Sequence, residues 1–335
     1  MGESEMNRGA DFPLTIDDVD RAAERLRDIV FRTPLLENAD VNAALGGRLL
    51  IKAECAQRTG AFKIRGAYNC IHQLTEAERT RGVITYSSGN HALGVALAAR
   101  LLHSSAVIVM PSDVPAAKRE AVQALGAQII TFDRDTENSD AVVATQSEET
   151  GRLVVPPSAD SRVLAGAGTV ALEMVAQSAG LGTVIDSVLV PCGGGGLTAS
   201  TAVVMQALSP RTRVYAAEPA LFDDTSRSLQ AGERVANPTG RRTICDAIMT
   251  PIPNALTFPI NLALLAGGHV ADDEEVRTAM RYAYENFKIV VEPGAAVGLA
   301  AVLSGRIDIR DQTVATVITG GNVDAERFCR LLNDH

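Results

Sequence analysis

Lys63 stands alone among apolar and flexible neighbours in TGAFKIRGAYN, residues 59–69, with Phe62 and Ile64 beside it and Gly60 and Gly66 on either side. An ammonium is costly to bury unpaired, so an amine in such company points to nucleophilic or proton-transfer chemistry. Three more stretches carry groups that could hold a small ligand. In PCGGGGLTAS (191–200), Gly193, Gly194, Gly195 and Gly196 follow a short apolar run and lead through Leu197 into a helical pattern. Glycines let successive N–H groups converge on an anion at a helix N-terminus, and a phosphate suits that place. The spacing matches neither the nucleotide P-loop nor G-x-G-x-x-G, so a nucleotide is not indicated. In YSSGNHALG (86–94), Ser87, Ser88, Gly89, Asn90 and His91 offer amides and hydroxyls to a carboxylate or to the polar edge of a ring. Ser and Asn are also ordinary helix caps, and His91 taken alone reads as a structural histidine. In ITGGNVD (318–324), Thr319 follows an apolar strand directly, where a tight turn is the plain alternative.

Short apolar strands alternating with amphipathic helices must position these stretches. IDDVDRAAERLRDIV (16–30) has helical spacing, with Thr15 placed to cap it. RLLIKAE (48–54), GVITYSS (82–88), AVIVM (106–110) and AQIITF (127–132) read as strands, as do SVLVPC (187–192), RVYAAE (213–218) and TVATVITGG (313–321). Helical patterns lie between them, which indicates βαβ units and parallel sheets covered on both faces. GRLVVPPSADSRVLA (151–165) reads as a crossover between two lobes, with helix resuming after it.

Bulk composition excludes several classes. The chain has 335 residues, 46% hydrophobic and 21% charged, enough for one large or two medium domains. A formal charge of -9 with no basic stripe argues against a nucleic-acid partner. No apolar run is long enough for a bilayer and no secretory signal is evident, so a soluble cytoplasmic protein is expected. Five scattered cysteines fit reduced thiols. Only four of the 31 Lys and Arg residues are lysines, so a retained lysine hints at amine chemistry that a guanidinium cannot supply.

A phosphate cradle, a carboxylate site and one sequestered lysine are the parts of a pyridoxal phosphate enzyme. T-G-A-F-K-I-R-G-A-Y-N, S-S-G-N-H, the glycine loop and T-G-G-N-V-D, in that order from about Thr15 to Asp324, resemble fold type II pyridoxal phosphate enzymes. The closest likeness is to serine/threonine dehydratases and serine racemase. The resemblance implies a two-lobed α/β fold of the tryptophan synthase β type, with parallel-rich sheets covered by helices. The expected domains are a large cofactor-binding one, 10–79 and 160–335, and a small one, 80–159.

Carried over residue by residue, the resemblance makes Lys63 the Schiff-base lysine and the base at the substrate Cα. Asn90 falls at the contact to the cofactor's phenolic oxygen, and Gly193, Gly194, Gly195 and Gly196 with Leu197 at the phosphate loop. Thr319 takes the place of a Ser or Cys at the pyridine nitrogen. Ser88 matches the proton-transferring serine on the opposite cofactor face, and Ser87 to His91 the substrate carboxylate site. In AAEPALFDD (216–224), Glu218, the Phe222 carbonyl and Asp224 match a Mg²⁺ or Ca²⁺ site, against the plain alternative of a solvated acidic loop. Cys55-Ala56 and PPSADS (156–161) depart from the family pattern and leave the substrate's identity open.

The expected activity is β-elimination of a 3-hydroxy amino acid (serine, threonine or 3-hydroxyaspartate) to a 2-oxo acid and ammonia. The rivals are an amino-acid racemase on the same scaffold and a cofactorless binding protein. A homodimer is expected, as is the lack of the C-terminal effector domain of longer threonine dehydratases.

Overall fold

The computed structural model describes residues 12–133 and 136–333; the outermost residues of the expected large domain, 10–11 and 334–335, lie outside them. Its strands are β1 (Leu35–Glu37), β2 (Arg48–Ala53), β3 (Val83–Tyr86), β4 (Ala106–Pro111), β5 (Gln128–Phe132), β6 (Leu153–Val154), β7 (Ser187–Pro191), β8 (Arg213–Pro219), β9 (Gly267–Ala271) and β10 (Thr313–Ile318). The first seven helices are α1 (Ile16–Leu26), α2 (Ala39–Leu45), α3 (Lys63–His72), α4 (Glu76–Arg81), α5 (Asn90–Leu101), α6 (Ala116–Ala124) and α7 (Ser139–Thr150). The rest are α8 (Ser161–Gly180), α9 (Gly196–Leu208), α10 (Asp224–Ala231), α11 (Phe258–Leu264), α12 (Asp273–Phe287), α13 (Pro293–Leu303) and α14 (Ala325–Asn333).

Two sheets form, in the orders β1-β2-β10-β7-β8-β9 and β5-β4-β3-β6. Every pairing is parallel except β1 against β2. Because side chains alternate along a strand, neighbours in sequence feed opposite cores. Leu49, Ile51 and Leu189 pack with α12 and α13, whereas Leu50, Val188 and Val190 pack with α8 and α9. In the smaller sheet Ile108 and Met110 join the α5 side, while Val107 and Val109 join the α7 side. Each fully buried aliphatic side chain contributes about 1.5–3 kcal/mol. Covered on both faces, such strands have to read as near-continuous apolar runs.

α1 starts where the sequence indicates, with Thr15 and Asp18 closing a reciprocal capping box. The segment 151–165 differs from its reading as a plain crossover. It contains β6, and from Ser161 it is already the first turn of α8, capped by Asp160. Gly166 and Gly168 weaken the helical signal there, but tertiary contact requires a small residue at position 166. A Cβ on Gly166 would lie 2.3 Å from the Arg65 carbonyl oxygen, and one on Gly66 2.7 Å from that of Val163, so α3 and α8 cross almost backbone to backbone. After β10 comes α14, whose Phe328 and Leu331 pack into the α12–α13 core. Among the described residues no helix is long and apolar enough to cross a membrane.

The candidate active site

The loops leaving the carboxyl ends of β3, β7 and β10 open into one cleft of about 860 Å³. This is where an open parallel sheet binds its ligands. The sequence-predicted residues Lys63, Ser87, Ser88, Gly89, Asn90, His91, Gly193, Gly194, Gly195, Gly196, Leu197 and Thr319 all line it.

Lys63 is the first residue of α3, and backbone contacts fix its approach. Phe62 donates its N–H to the Thr319 carbonyl at 3.1 Å, and Gly321 donates to the Gly60 carbonyl at 2.9 Å. Ala61 and Gly320 form an isolated bridge. Thr59 and Gly60 are both left-handed, at φ 63° and 71°, and a Cβ on Gly60 would lie 2.4 Å from Asn322 Oδ1. The Thr-Gly of the lysine motif therefore turns the chain tightly enough to seat Asn322 against it. On the other side α5 abuts the lysine's own backbone, since a Cβ on Gly94 would lie 3.0 Å from the carbonyl carbon of Lys63.

The Lys63 ammonium meets no carboxylate among the described residues. Its Nζ donates to the Pro157 carbonyl at 3.0 Å and lies 5.0 Å from the centre of the Phe62 ring. Burial without a counter-charge lowers its pKa to about 8. A substantial neutral fraction near physiological pH is what a nucleophilic amine needs.

The glycine loop is built as an anion cradle. Gly195, at φ 79°, caps α9 in the left-handed region. Thr257 Oγ1 donates to the Gly194 carbonyl at 2.7 Å, and Thr198 Oγ1 and Asn261 Nδ2 donate to that of Gly195 at 2.8 and 3.2 Å. These contacts occupy the loop's acceptors. The N–H groups of the first turn of α9 have no acceptor within the helix and stand at its positive end. Ser158, which sequence reading passed over within PPSADS, sits above the loop. A Cβ on Gly194 would come 2.7 Å from its Oγ, and one on Gly196 2.9 Å from its Cβ.

In the β3–α5 loop, the Ser87 hydroxyl accepts from the Gly89 N–H at 3.2 Å. His91 is buried, its Nε2–H donating to the Val155 carbonyl at 2.8 Å. Burial and the nearby Lys63 charge hold its pKa down at about 3, so the ring stays neutral. Asn90 accepts at Oδ1 from Asn322 Nδ2 at 2.7 Å and donates through Nδ2 to Glu292 Oε1 at 2.6 Å. Glu292 is the main residue that sequence reading missed. It lines the cleft yet is only 7% exposed, and burial chiefly raises its pKa to about 7. The signal available was one acid before the Pro293 that starts the wholly apolar α13.

Glu218, near the end of β8, and Asp224, the first residue of α10, lie away from the cleft, with Phe222 buried in the turn between them. Glu218 caps α10, its Oε1 accepting from Thr225 N–H at 2.8 Å and its Oε2 from Ser226 N–H at 2.7 Å. Asp224 Oδ1 accepts from Asn237 Nδ2 at 2.7 Å, whereas Oδ2 is buried with no partner among the described residues. No three His, Cys, Asp or Glu side chains among the described residues form a metal cluster, so the expected set is two carboxylates plus backbone.

A family described as "Pyridoxal-phosphate dependent enzyme" matches residues 26–320. The chain belongs to this family. Over 315 residues it is 41% identical to an L-threo-3-hydroxyaspartate ammonia-lyase from Pseudomonas sp., covering 94% of this chain and 97% of that one. A serine racemase from Oryza sativa subsp. indica is 38% identical, over 93% and 92% of the two chains. The solved structure of maize serine racemase superposes with a TM-score of 0.90 at 37% identity, over 95% of this chain and 97% of that one. The fold expected of pyridoxal-phosphate enzymes of type II is the fold observed.

Proposed function

We propose that this pyridoxal-phosphate enzyme is an ammonia-lyase that converts a 3-hydroxy amino acid (serine, threonine or 3-hydroxyaspartate) to a 2-oxo acid and ammonia. The observation that carries the reading is Lys63, an amine with no counter-charge, in the same cleft as the four-glycine loop. Relatives that act as ammonia-lyases over nearly the whole chain support it.

The residues fit the cofactor. Gly193 to Gly196, with Ser158 above them, would hold its phosphate, Asn90 its phenolic oxygen, Thr319 its ring nitrogen, and Lys63 Nζ its aldehyde carbon. When bound, the cofactor supplies an electron sink that acidifies the substrate's Cα–H. In its neutral form, Lys63 Nζ takes that proton. The N–H groups and hydroxyls from Ser87 to Asn90 hold the substrate carboxylate at the start of α5, where the helix favours negative charge. His91, neutral and tied to Val155, braces that loop rather than exchanging protons. A neutral hydroxyl at Thr319 does not protonate the ring nitrogen, which suits elimination.

Purified protein supplied with pyridoxal phosphate is expected to release a 2-oxo acid from at least one of the three substrates; release from none overturns the reading. A racemase is the second reading, favoured by Ser88 lining the cleft together with Lys63. Chiral analysis of recovered substrate separates the two, since Ser88→Ala stops racemisation but only weakens elimination. A cofactorless binding protein would show no absorbance band near the visible edge.

Glu218 and Asp224 fit a hard divalent cation such as Mg²⁺ or Ca²⁺, because the unpartnered Asp224 Oδ2 is a buried anionic oxygen awaiting one. A homodimer in the cytoplasm completes the proposal, and sedimentation gives the oligomeric state.

A further inference from the structure

We propose that Glu292 and Asn322 are the positioning residues that decide which edge of the Asn90 amide faces the cleft. This rests on the reading of Asn90 as a cofactor contact. A side-chain amide has an oxygen edge and an N–H₂ edge of nearly equal shape, so hydrogen-bond partners alone decide how it sits.

Here both ends of the chain of partners are acceptors. At one end is the Thr59 carbonyl, which accepts from Asn322 Nδ2 at 2.7 Å. A carbonyl cannot donate, so the nitrogen of Asn322 has to face it. The second hydrogen on that nitrogen goes to Asn90 Oδ1 at 2.7 Å, which uses up both. At the other end is Glu292 Oε1, which accepts from Asn90 Nδ2 at 2.6 Å. Asn90 is therefore tied at its oxygen by a donor and at its nitrogen by an acceptor. One N–H remains, and it is the only donor this amide has left for a ligand in the cleft that Asn90 lines.

Turning the amide over would set Nδ2 against the Asn322 N–H₂ and, with Glu292 ionised, Oδ1 against its carboxylate, two mismatches at once. The left-handed backbone at Thr59 and Gly60 belongs to the same device. It presents the Thr59 carbonyl and clears the space that Asn322 fills. The terminal T-G-G-N and the initial T-G of the lysine motif thus meet through one asparagine.

The test uses isosteric reversal on the full-length protein. Asn322→Asp replaces the donor with an acceptor at unchanged shape, at an exposed position outside the core. The readouts are the dissociation constant of pyridoxal phosphate and the absorbance maximum of the bound cofactor, with Asn90→Ala as reference and thermal midpoint as a folding control. Asn322→Asp and Glu292→Leu are expected to weaken cofactor binding ~10–100-fold and to move the absorbance maximum. Glu292→Gln, whose carbonyl still accepts from Asn90, stays within about threefold of wild type, a change of under ~1 kcal/mol.

Wild-type affinity in Asn322→Asp alongside weakened Asn90→Ala overturns the proposal and leaves Asn90 as a cofactor contact. Wild-type affinity in Asn90→Ala overturns both. A Glu292→Gln protein that binds as poorly as Glu292→Leu overturns it in favour of charge. If Glu292→Leu does not fold, the Asn322→Asp and Glu292→Gln arms decide.

Discussion

The Phe62 N–H and the Thr319 carbonyl meet at 3.1 Å across most of the sequence, so the residue before the amine is pinned to the residue after β10. The reactive lysine is held by its backbone, between β10 on one side and α5 on the other. Among the described residues its side chain contributes one hydrogen bond, to Pro157, and a contact with Phe62.

Truncating Lys63 should therefore remove chemistry and spare the fold. Lys63→Ala is expected to lower oxo-acid release by about four orders of magnitude or more, and to abolish the borohydride-sensitive band. Its thermal midpoint without cofactor should match or exceed wild type, since an unpaired ammonium leaves the cleft. Comparable activity in the variant would dethrone Lys63.

The amine's acidity gives a pH dependence of definite sign. Burial lowers its pKa to about 8, so the neutral form gains as pH rises through 8. Cofactor-free protein mixed with pyridoxal phosphate should capture it faster as pH rises towards 8 and level off above. A rate still climbing steeply well beyond that value would mean an ordinary solvated lysine.

Much of the site was legible because its parts obey local rules. Four glycines before a helix, Ser and Asn at another helix start and a lysine among apolar residues each declare themselves within a short stretch of chain. Glu292 and Ser158 do not. Their meaning lies in contacts at long range, Glu292 to Asn90 and Ser158 to Gly194, and nothing beside them in sequence encodes either. Gly166 misled in the same way, as a weak spot in a helical pattern whose purpose is close approach to Arg65. Glu218 caps the helix that Asp224 begins, a contact to backbone N–H groups that the acidic stretch does not declare in sequence.

Gly195 separates a needed glycine from an incidental one. A side chain there meets a left-handed φ of 79° and would place Cβ 2.5 Å from Asn261 Nδ2. Gly195→Ala is expected to cost about 1–3 kcal/mol in urea unfolding and to weaken cofactor binding further. Gly180→Ala, where a Cβ meets nothing within 4 Å, should be neutral or slightly stabilising.

Arg65 joins the lysine helix to the rest of the large sheet's core. Fully buried, it reaches Glu54 at 2.8 Å and Glu173 at 2.7 Å, while Lys52 also pairs with Glu173. Arg65→Met would leave the buried Glu54 carboxylate with the Thr33 hydroxyl but without its counter-charge. A loss of about 3–5 kcal/mol in urea unfolding is expected. Glu54→Gln in the same background should recover part of it, because the stranded charge is then gone.

Glu218 and Asp224 make the cation proposal testable without activity. Burial raises Glu218 to about 7 and Asp224 to about 6, and the Asp224 charge adds to the rise at Glu218. Carboxyls whose pKa is higher folded than unfolded bind more protons in the native state. Their contribution is therefore intact below about pH 4 and is lost as pH rises through about 6 to 7. A divalent cation replaces those protons, so Ca²⁺ or Mg²⁺ should raise the thermal midpoint clearly at about pH 8 and little at about pH 5.5. In Asp224→Asn the cation-dependent gain should vanish at both pH values. An equal gain in the acidic and the basic buffer, or one that survives Asp224→Asn, would place the cation elsewhere.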